Sequence, residues 1–265
     1  MDIDHLSPSG LRLLQMCGEA FRRKYVDKQP MTSGLAAAVG TAVHKSAELD
    51  LTAKRDEGEL QAEEVIIDTA ADAFETAVAD PRTALTKEER EARAAVLGKA
   101  KDQAIGLARV HHHELAPMVA PKLIEHRFEI EFDGFPLTLV GYADLVENDN
   151  TIRDLKTRGK KPRPDDATDD IGLAWYAMSL DVSELGYAPA LALDVLVKTK
   201  TPKLETVWAT SPTDHDPLLA RIERAALVIQ AGAYLPAPPD HWKCSEKFCD
   251  FYNDCPFGRA RRIQI

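Results

Sequence analysis

Residues 136–157, PLTLVGYADLVENDNTIRDLKT, decide the fold. Two runs of β-branched, aromatic and aliphatic residues, partly alternating with polar ones, flank Asn148-Asp149-Asn150, a strong turn signal. The pattern predicts a β-hairpin centred on residue 149, which sets Asp144 opposite Asp154. Directly opposed antiparallel residues hold their Cβ atoms about 4.5–5.5 Å apart, and like charges placed there are destabilising. A divalent cation between them would remove that penalty. Because side chains alternate along a strand, Lys156 shares the face of Asp154 while Leu155 points the other way. Two carboxylates and an ammonium on one face suit phosphodiester hydrolysis. A hard cation on carboxylate oxygens neutralises charge developing on the phosphate and acidifies water, and lysine orients that water or stabilises the oxyanion. The alternative is a solvated hairpin face on which Asp154 and Lys156 are merely neighbours.

Outward from the hairpin, residues 153–163 hold six basic side chains against one acidic: Arg153, Lys156, Arg158, Lys160, Lys161 and Arg163 beside Asp154. Such groups hold a nucleic-acid backbone in register by phosphate contacts; the competing reading is a solubilising loop. A strand is predicted over 123–133, closed by Asp133-Gly134, and the hairpin strands over 136–147 and 151–157, so three antiparallel strands follow one another. A helix follows over 169–180, strands over 190–198 and 204–209, and a last helix over 212–232. Before the strands the chain reads as helical: Ser9 is a plausible N-cap for LRLLQMCGEAFRRKY, and further helices are expected over 35–53, 60–78 and 87–115. The pattern predicts an α/β fold, with a central mixed sheet flanked by helices, in one domain. Its parts are a helical portion to about residue 120, a core over 121–235 and a cysteine-rich tail over 236–265.

His44 lies on the second helix, one turn after Gly40, whose missing side chain leaves room beside the imidazole, while Val43 faces the core. Taken with the carboxylate hairpin it is a candidate metal ligand; alone it reads as an ordinary helical histidine. His111, His112 and His113 are consecutive, point in different directions, and are expected at the surface.

The four cysteines fall in two terminal regions: Cys17 in the first helix and Cys244, Cys249 and Cys255 in the tail. Three clustered thiolates and a distant fourth suit tetrahedral zinc or an iron–sulfur cluster; unliganded buried thiols are the third reading. A short zinc loop usually supplies two closely spaced cysteines, so this spacing favours the cluster, which would staple the tail to the first helix.

With 265 residues, 45% of them hydrophobic and 29% charged, the chain matches an ordinary globular protein rather than a collagen, coiled-coil, low-complexity or disordered one. A net charge of −10 argues against coating nucleic acid by bulk electrostatics, though not against a local basic patch. No stretch approaches the roughly 20 apolar residues that cross a bilayer, and the opening MDIDHLSPSG is acidic where a secretory signal is basic. A cytoplasmic, membrane-free protein with reduced thiols is expected.

These residues together resemble the PD-(D/E)XK nuclease superfamily, in particular its RecB-like branch with an iron–sulfur staple, the AddB and CRISPR-adaptation type. The opening SPSGLRLLQMCGEAFRRKYV resembles the branch's Ser-x-Ser entry and first cluster cysteine. GTAVH resembles its histidine motif, GYAD its second acidic motif, DLKT its D/E-x-K motif, and the closing cysteines its terminal cluster ligands. The resemblance implies that His44, Asp144 and Asp154 bind Mg²⁺ or Mn²⁺ with the backbone carbonyl of Leu155, and that Lys156 positions the attacking water. It implies a [4Fe–4S] cluster on Cys17, Cys244, Cys249 and Cys255, with Zn²⁺ as the lesser alternative. It further implies exonuclease action on single- or double-stranded DNA ends, with a helicase or recombination partner. Arg158, Lys160, Lys161, Arg163 and Tyr176 are the expected nucleic-acid contacts. Three departures stand out: Ala143 replaces the proline of the family name, Gly172 stands four residues before Tyr176 where glutamine is common, and Cys-x4-Cys is wider than the usual Cys-x2-Cys. Glu125 resembles a glutamate of some relatives, or is an exposed strand residue. The competing classes are a non-catalytic DNA-binding or scaffold protein of the same fold, and a zinc-stapled hydrolase of another phosphoester.

Overall fold

The computed structural model describes residues 3–212 and 214–258. In chain order its elements are β1 (His5–Leu6), α1 (Pro8–Met16), α2 (Gly18–Phe21), β2 (Ser33–Gly34), α3 (Leu35–Glu57), α4 (Glu63–Ala79), β3 (Thr83–Ala84), α5 (Lys87–Glu91), α6 (Arg93–Val110), β4 (Pro121–Ile130), β5 (Thr138–Glu147), β6 (Ile152–Arg158), α7 (Ile171–Val182), β7 (Ala190–Val197), β8 (Lys203–Thr210) and α8 (Asp216–Ala231). Single π-helical turns occupy Arg22–Val26 and His111–Leu115. The chain divides into two compact units. The larger comprises Ser33–Phe128 and Tyr142–Thr213, the smaller Met1–Thr32, Glu129–Gly141 and Asp214–Ile265.

In the larger unit β5 and β6 form the antiparallel hairpin, β6 runs parallel to β7, and β7 is antiparallel to β8; β4 also pairs with β5. Parallel neighbours need a crossover, and α7 lies in the connection from β6 to β7. β7, ALALDVLV, is buried along nearly its whole length, as a central strand should be. Against the sheet, α3 lays its stripe of Val39, Val43, Ala47 and Leu51 into a core shared with Phe74, Leu107, Leu145, Leu155 and Leu196. Each fully buried aliphatic side chain of this kind contributes about 1.5–3 kcal/mol. The space beside Gly40 abuts a strand residue: a Cβ there would stand 3.6 Å from Thr157 Oγ1 of β6. The expected room for an approach to the imidazole is therefore bordered by the sheet. The short strands β2 and β3 pair in parallel.

The helix expected over 87–115 is broken. Thr86 and Glu89 form a reciprocal capping box that starts α5, and Ala92, at φ −109° and ψ 29°, separates it from α6. The chain then widens into the π turn at His111.

In the smaller unit the first helix begins earlier than expected. Ser7, not Ser9, is the cap: its Oγ accepts the Gly10 N–H at 3.1 Å, and Pro8 sits in the first turn, where no N–H partner is required. The helix also stops sooner, because Cys17 is extended at φ −163°, ψ 102°. The next amide, Gly18 N–H, donates to Leu235 O at 2.7 Å. A Cβ on Gly18 would fall 2.7 Å from Leu235 N and 2.8 Å from its O, so only glycine permits this approach of two backbones. Phe21 is buried with Tyr25 and Tyr234 at ring separations of 4.8 and 6.0 Å. β1 pairs in parallel with Thr138 and Leu139, and the Asp250 carboxylate accepts both the N–H and the hydroxyl of Thr32.

Gly18→Ala is expected to destabilise the chain by about 1–3 kcal/mol through overpacking against immovable backbone. Gly34→Ala, with nothing within 4 Å of the new methyl, should be nearly neutral. Thermal denaturation of both variants checks this; equal midpoints would refute the close-approach argument.

Candidate active site

The turn closes as expected: Asn150 N–H donates to Glu147 O, Asn150 takes φ 68°, and the Asp149 carboxylate accepts the Thr151 N–H. The register pairs Leu145 with Arg153 and Val146 with Ile152, the pairing that follows from a turn centred on residue 149. One residue further on, the Asp144 side chain takes up a strand amide, and Leu155 N–H donates to Asp144 Oδ2 at 2.7 Å. Lys156 and Asp154 are ion-paired across their shared face. Lys156 Nζ donates to Asp154 Oδ1 at 2.7 Å and stands 2.6 Å from Oδ2 outside hydrogen-bonding geometry. That Oδ2 is buried and has no hydrogen-bond partner.

Two further elements bring side chains to Asp144. From α3, His44 Nδ1 lies 3.4 Å from Glu125 Oε1 and 3.6 Å from Asp144 Oδ1. From β4 comes Glu125, in the left-handed region at φ 45° inside an otherwise extended strand. A non-glycine residue there costs on the order of 1–3 kcal/mol, and such strain gathers at functional sites. One ligand atom each from His44, Glu125 and Asp144 lies within 4.8 Å of the others. From α7, whose N-cap Asp170 accepts the Gly172 and Leu173 amides, Tyr176 is buried close enough for the carboxylates to act on it.

Burial dominates the electrostatics. It pushes the Asp154 carboxyl up to about 7, against the pull of the Lys156 ammonium and with the push of Asp144. Burial likewise raises Asp144, opposed by His44 and Lys156. Burial disfavours charge on His44, but the hydrogen bond to Glu125 and the field of Asp144 outweigh it, so His44 is raised. Lys156 is held above the ordinary lysine value in spite of burial, chiefly by Asp154 and Asp144. The phenol of Tyr176 is raised by burial and then by Asp154 and Asp144, so it stays protonated.

Clustered carboxylates, one imidazole and a buried carboxylate oxygen that accepts no hydrogen bond could hold a hard divalent cation, for which oxygen donors predominate. The hairpin brought together Asp154 and Lys156, and tertiary packing added His44 and Glu125. Leu155, whose carbonyl the family resemblance implies as a ligand, is buried and lines the same cavity as His44, Glu125 and Asp144. Glu125 carried as sequence signals its strand position and its resemblance to a glutamate of some relatives; nothing in the local sequence announces its backbone strain.

Several expectations are corrected. His111 and His112 are buried rather than at the surface, because the π turn rotates them inward: His112 Nδ1 pairs with the fully buried Asp50 at 2.8 Å, and His111 lines the cavity beside His44. Burial, with His44 and His112 nearby, lowers His111 to about 3, so it is neutral. Arg153 is taken up by neighbouring side chains rather than standing free in the basic run. It bridges Glu147 at 2.5 Å and Asp194 at 3.1 Å, under the Trp208 ring. The basic run is largely paired: Arg158 and Arg163 both meet Asp166, and Lys161 meets Glu205, while Lys160 is exposed. In the smaller unit Cys17, Cys244, Cys249 and Cys255 line one cavity.

The crystal structure of a candidate exonuclease from Eubacterium rectale superposes with a TM-score of 0.58 at 14% identity, over 92% of this chain and 87% of its own, which shows a common fold. A second solved structure, SSO0001, is 17% identical over 92% of this chain and 94% of its own at a TM-score of 0.38, too low to bear on the fold. No curated protein matches. No helix among the described residues is long and apolar enough to cross a membrane. The family description that matches covers residues 5–256, motifs and cysteines included: the chain belongs to the PD-(D/E)XK nuclease superfamily.

Proposed function

We propose that this chain is a Mg²⁺- or Mn²⁺-dependent deoxyribonuclease that cuts phosphodiesters at DNA ends, in the manner of the RecB-like branch it resembles, and that it works as one nuclease domain. The observation that carries the reading is the convergence of His44, Glu125 and Asp144 beside the orphaned oxygen of Asp154 and its partner Lys156. His44, Glu125, Asp144 and Asp154, with the Leu155 carbonyl, would hold the cation. When bound, it supplies charge neutralisation at the phosphate and lowers the pKa of water.

The chain's own groups do the rest. Lys156, held protonated by its acidic neighbours, donates hydrogen bonds to the attacking water or to a non-bridging phosphate oxygen. Arg158, Lys160, Lys161 and Arg163 hold backbone phosphates, exchanging Asp166 and Glu205 for them, and Tyr176 contacts the nucleotide beside Asp154. Partnership with a helicase or recombination protein belongs to the same reading, as does action inside the cell.

The four cysteines form a [4Fe–4S] site that staples the tail to the first helix. A single zinc with Zn–S near 2.3 Å sets its sulfurs about 3.8 Å apart. Among the described residues only His44, Glu125 and Asp144 form so tight a set of ligand atoms, and the thiols are not among them. The wider spread of the four around one cavity supports the larger group.

Three outcomes are expected. Wild type should degrade linear single- or double-stranded DNA with Mn²⁺ or Mg²⁺ and spare closed circles, while Lys156→Ala should lose about 10²–10³-fold in rate. Absence of metal-dependent cleavage on every linear substrate would remove the enzyme reading. Without metal, the raised Asp154 contributes stability that is complete below the ordinary carboxylate value and lost as pH rises toward about 7. Mn²⁺ replaces that proton, so its stabilisation in thermal melts should be larger at pH 8 than at pH 6 and vanish in Asp144→Asn. Protein purified without oxygen should contain iron and sulfide, and Cys249→Ala should lose colour and melting temperature together; retention of both would refute the cluster.

A further inference from the structure

The tail segment 241–248, HWKCSEKF, presents aromatic rings and ammonium groups that neither the catalytic site nor the cysteine cavity uses fully. Trp242 and Phe248 are 58% and 47% exposed. Their centroids stand 5.2 Å apart at 81°, and the His241 ring lies 5.6 Å from Trp242 at 35°. Lys243 Nζ stands 6.0 Å from the Trp242 centroid and Lys247 Nζ 5.4 Å from that of Phe248. Within the segment Glu246 is the single acidic side chain, against two lysines, in a chain of net charge −10. Just beyond it, Asp250 is engaged by Thr32.

We propose that this segment is a stacking platform for single-stranded nucleic acid: bases stack on Trp242 and Phe248, and phosphates meet Lys243 and Lys247. The proposal rests on the nuclease reading for its choice of ligand. Every nucleobase has a π face, so aromatic side chains bind single strands without regard to sequence, and neighbouring cations follow the backbone. An acidic chain repels nucleic acid over most of its surface, so a binding surface on it must carry its own cations. The segment contains no aliphatic residue. A protein-binding patch of this size would be expected to pair its aromatics with an apolar pocket, whereas here rings alternate with charge.

The test uses the full chain carrying Lys156→Ala, so that binding is read without cleavage, with fluorescein-labelled oligo(dT) as the probe and anisotropy as the measurement. Trp242→Ala and Phe248→Ala should each weaken binding about tenfold, the loss expected of one stacked base. Trp242→Phe should restore most of the loss, and Lys247→Glu should weaken binding and flatten its salt dependence. Should Trp242→Ala fail to fold, Phe248→Ala and Lys247→Glu carry the same comparison. Unchanged oligonucleotide affinity in these variants, the result also expected of a protein-docking patch, would overturn the platform. A wild type that cleaves nothing yet binds through Trp242 would overturn the nuclease reading and leave the platform standing.

Discussion

Asp144, Asp154 and Glu125 place three carboxyl groups around one partly buried point, where water screens them less than at an open surface. Such an arrangement persists only if cations answer it or protons neutralise it. Lys156 answers part of it, pairing with Asp154, and His44 answers another part through Glu125 and Asp144. The remainder shows as raised carboxyl groups and as a buried Asp154 Oδ2 that lies in the ion pair but accepts no hydrogen bond. A folded chain that carries this unfavourable electrostatic load gives up stability at a place whose side chains could hold a cation.

The rest of the larger unit keeps that point in place. Val43 and Leu155 are buried in the same core, so the helix bearing His44 and the strand bearing Asp154 and Lys156 are locked by one apolar cluster. Backbone strain at Glu125 is compensated by the strand around it, which continues as far as Ile130. On Arg153, between Glu147 and Asp194, a separate ion network closes with Thr206 donating to Asp194. Breaking one partner of such a buried set leaves an uncompensated charge, so the network ties strands β5, β6 and β7 together.

The smaller unit solves a different problem. Its tail, residues 236–258, has little regular structure and so little hydrogen-bonded rigidity of its own. It is held by specific ties: Thr32 to Asp250, Arg23 to the Asp254 carbonyl and the Ala237 amide to Cys17 Sγ, with Gly18 bound to Leu235 just before it. Four thiols gathered around one cavity are consistent with a cofactor supplying what a short irregular segment lacks, since binding free energy at such a site adds to folding free energy.

The hairpin, its register and the pairing of Asp154 with Lys156 were legible in residues 136–157 alone, because turn chemistry and the two-residue period of a strand are local properties. The order of the longer helices and strands was legible for the same reason, and two departures from it are local as well: the cap is Ser7 rather than Ser9, and a capping box at Thr86 opens a separate short helix. What the sequence by itself could not determine depends on residues far apart in the chain. The meeting of His44 with Glu125, the inward turn of His111 and His112 onto Asp50, and the break at Cys17 imposed by the backbone of Leu235 each arise from packing between distant segments. Only the tertiary structure decided them, because burial and close approach are properties of the folded surface and leave no periodicity to read.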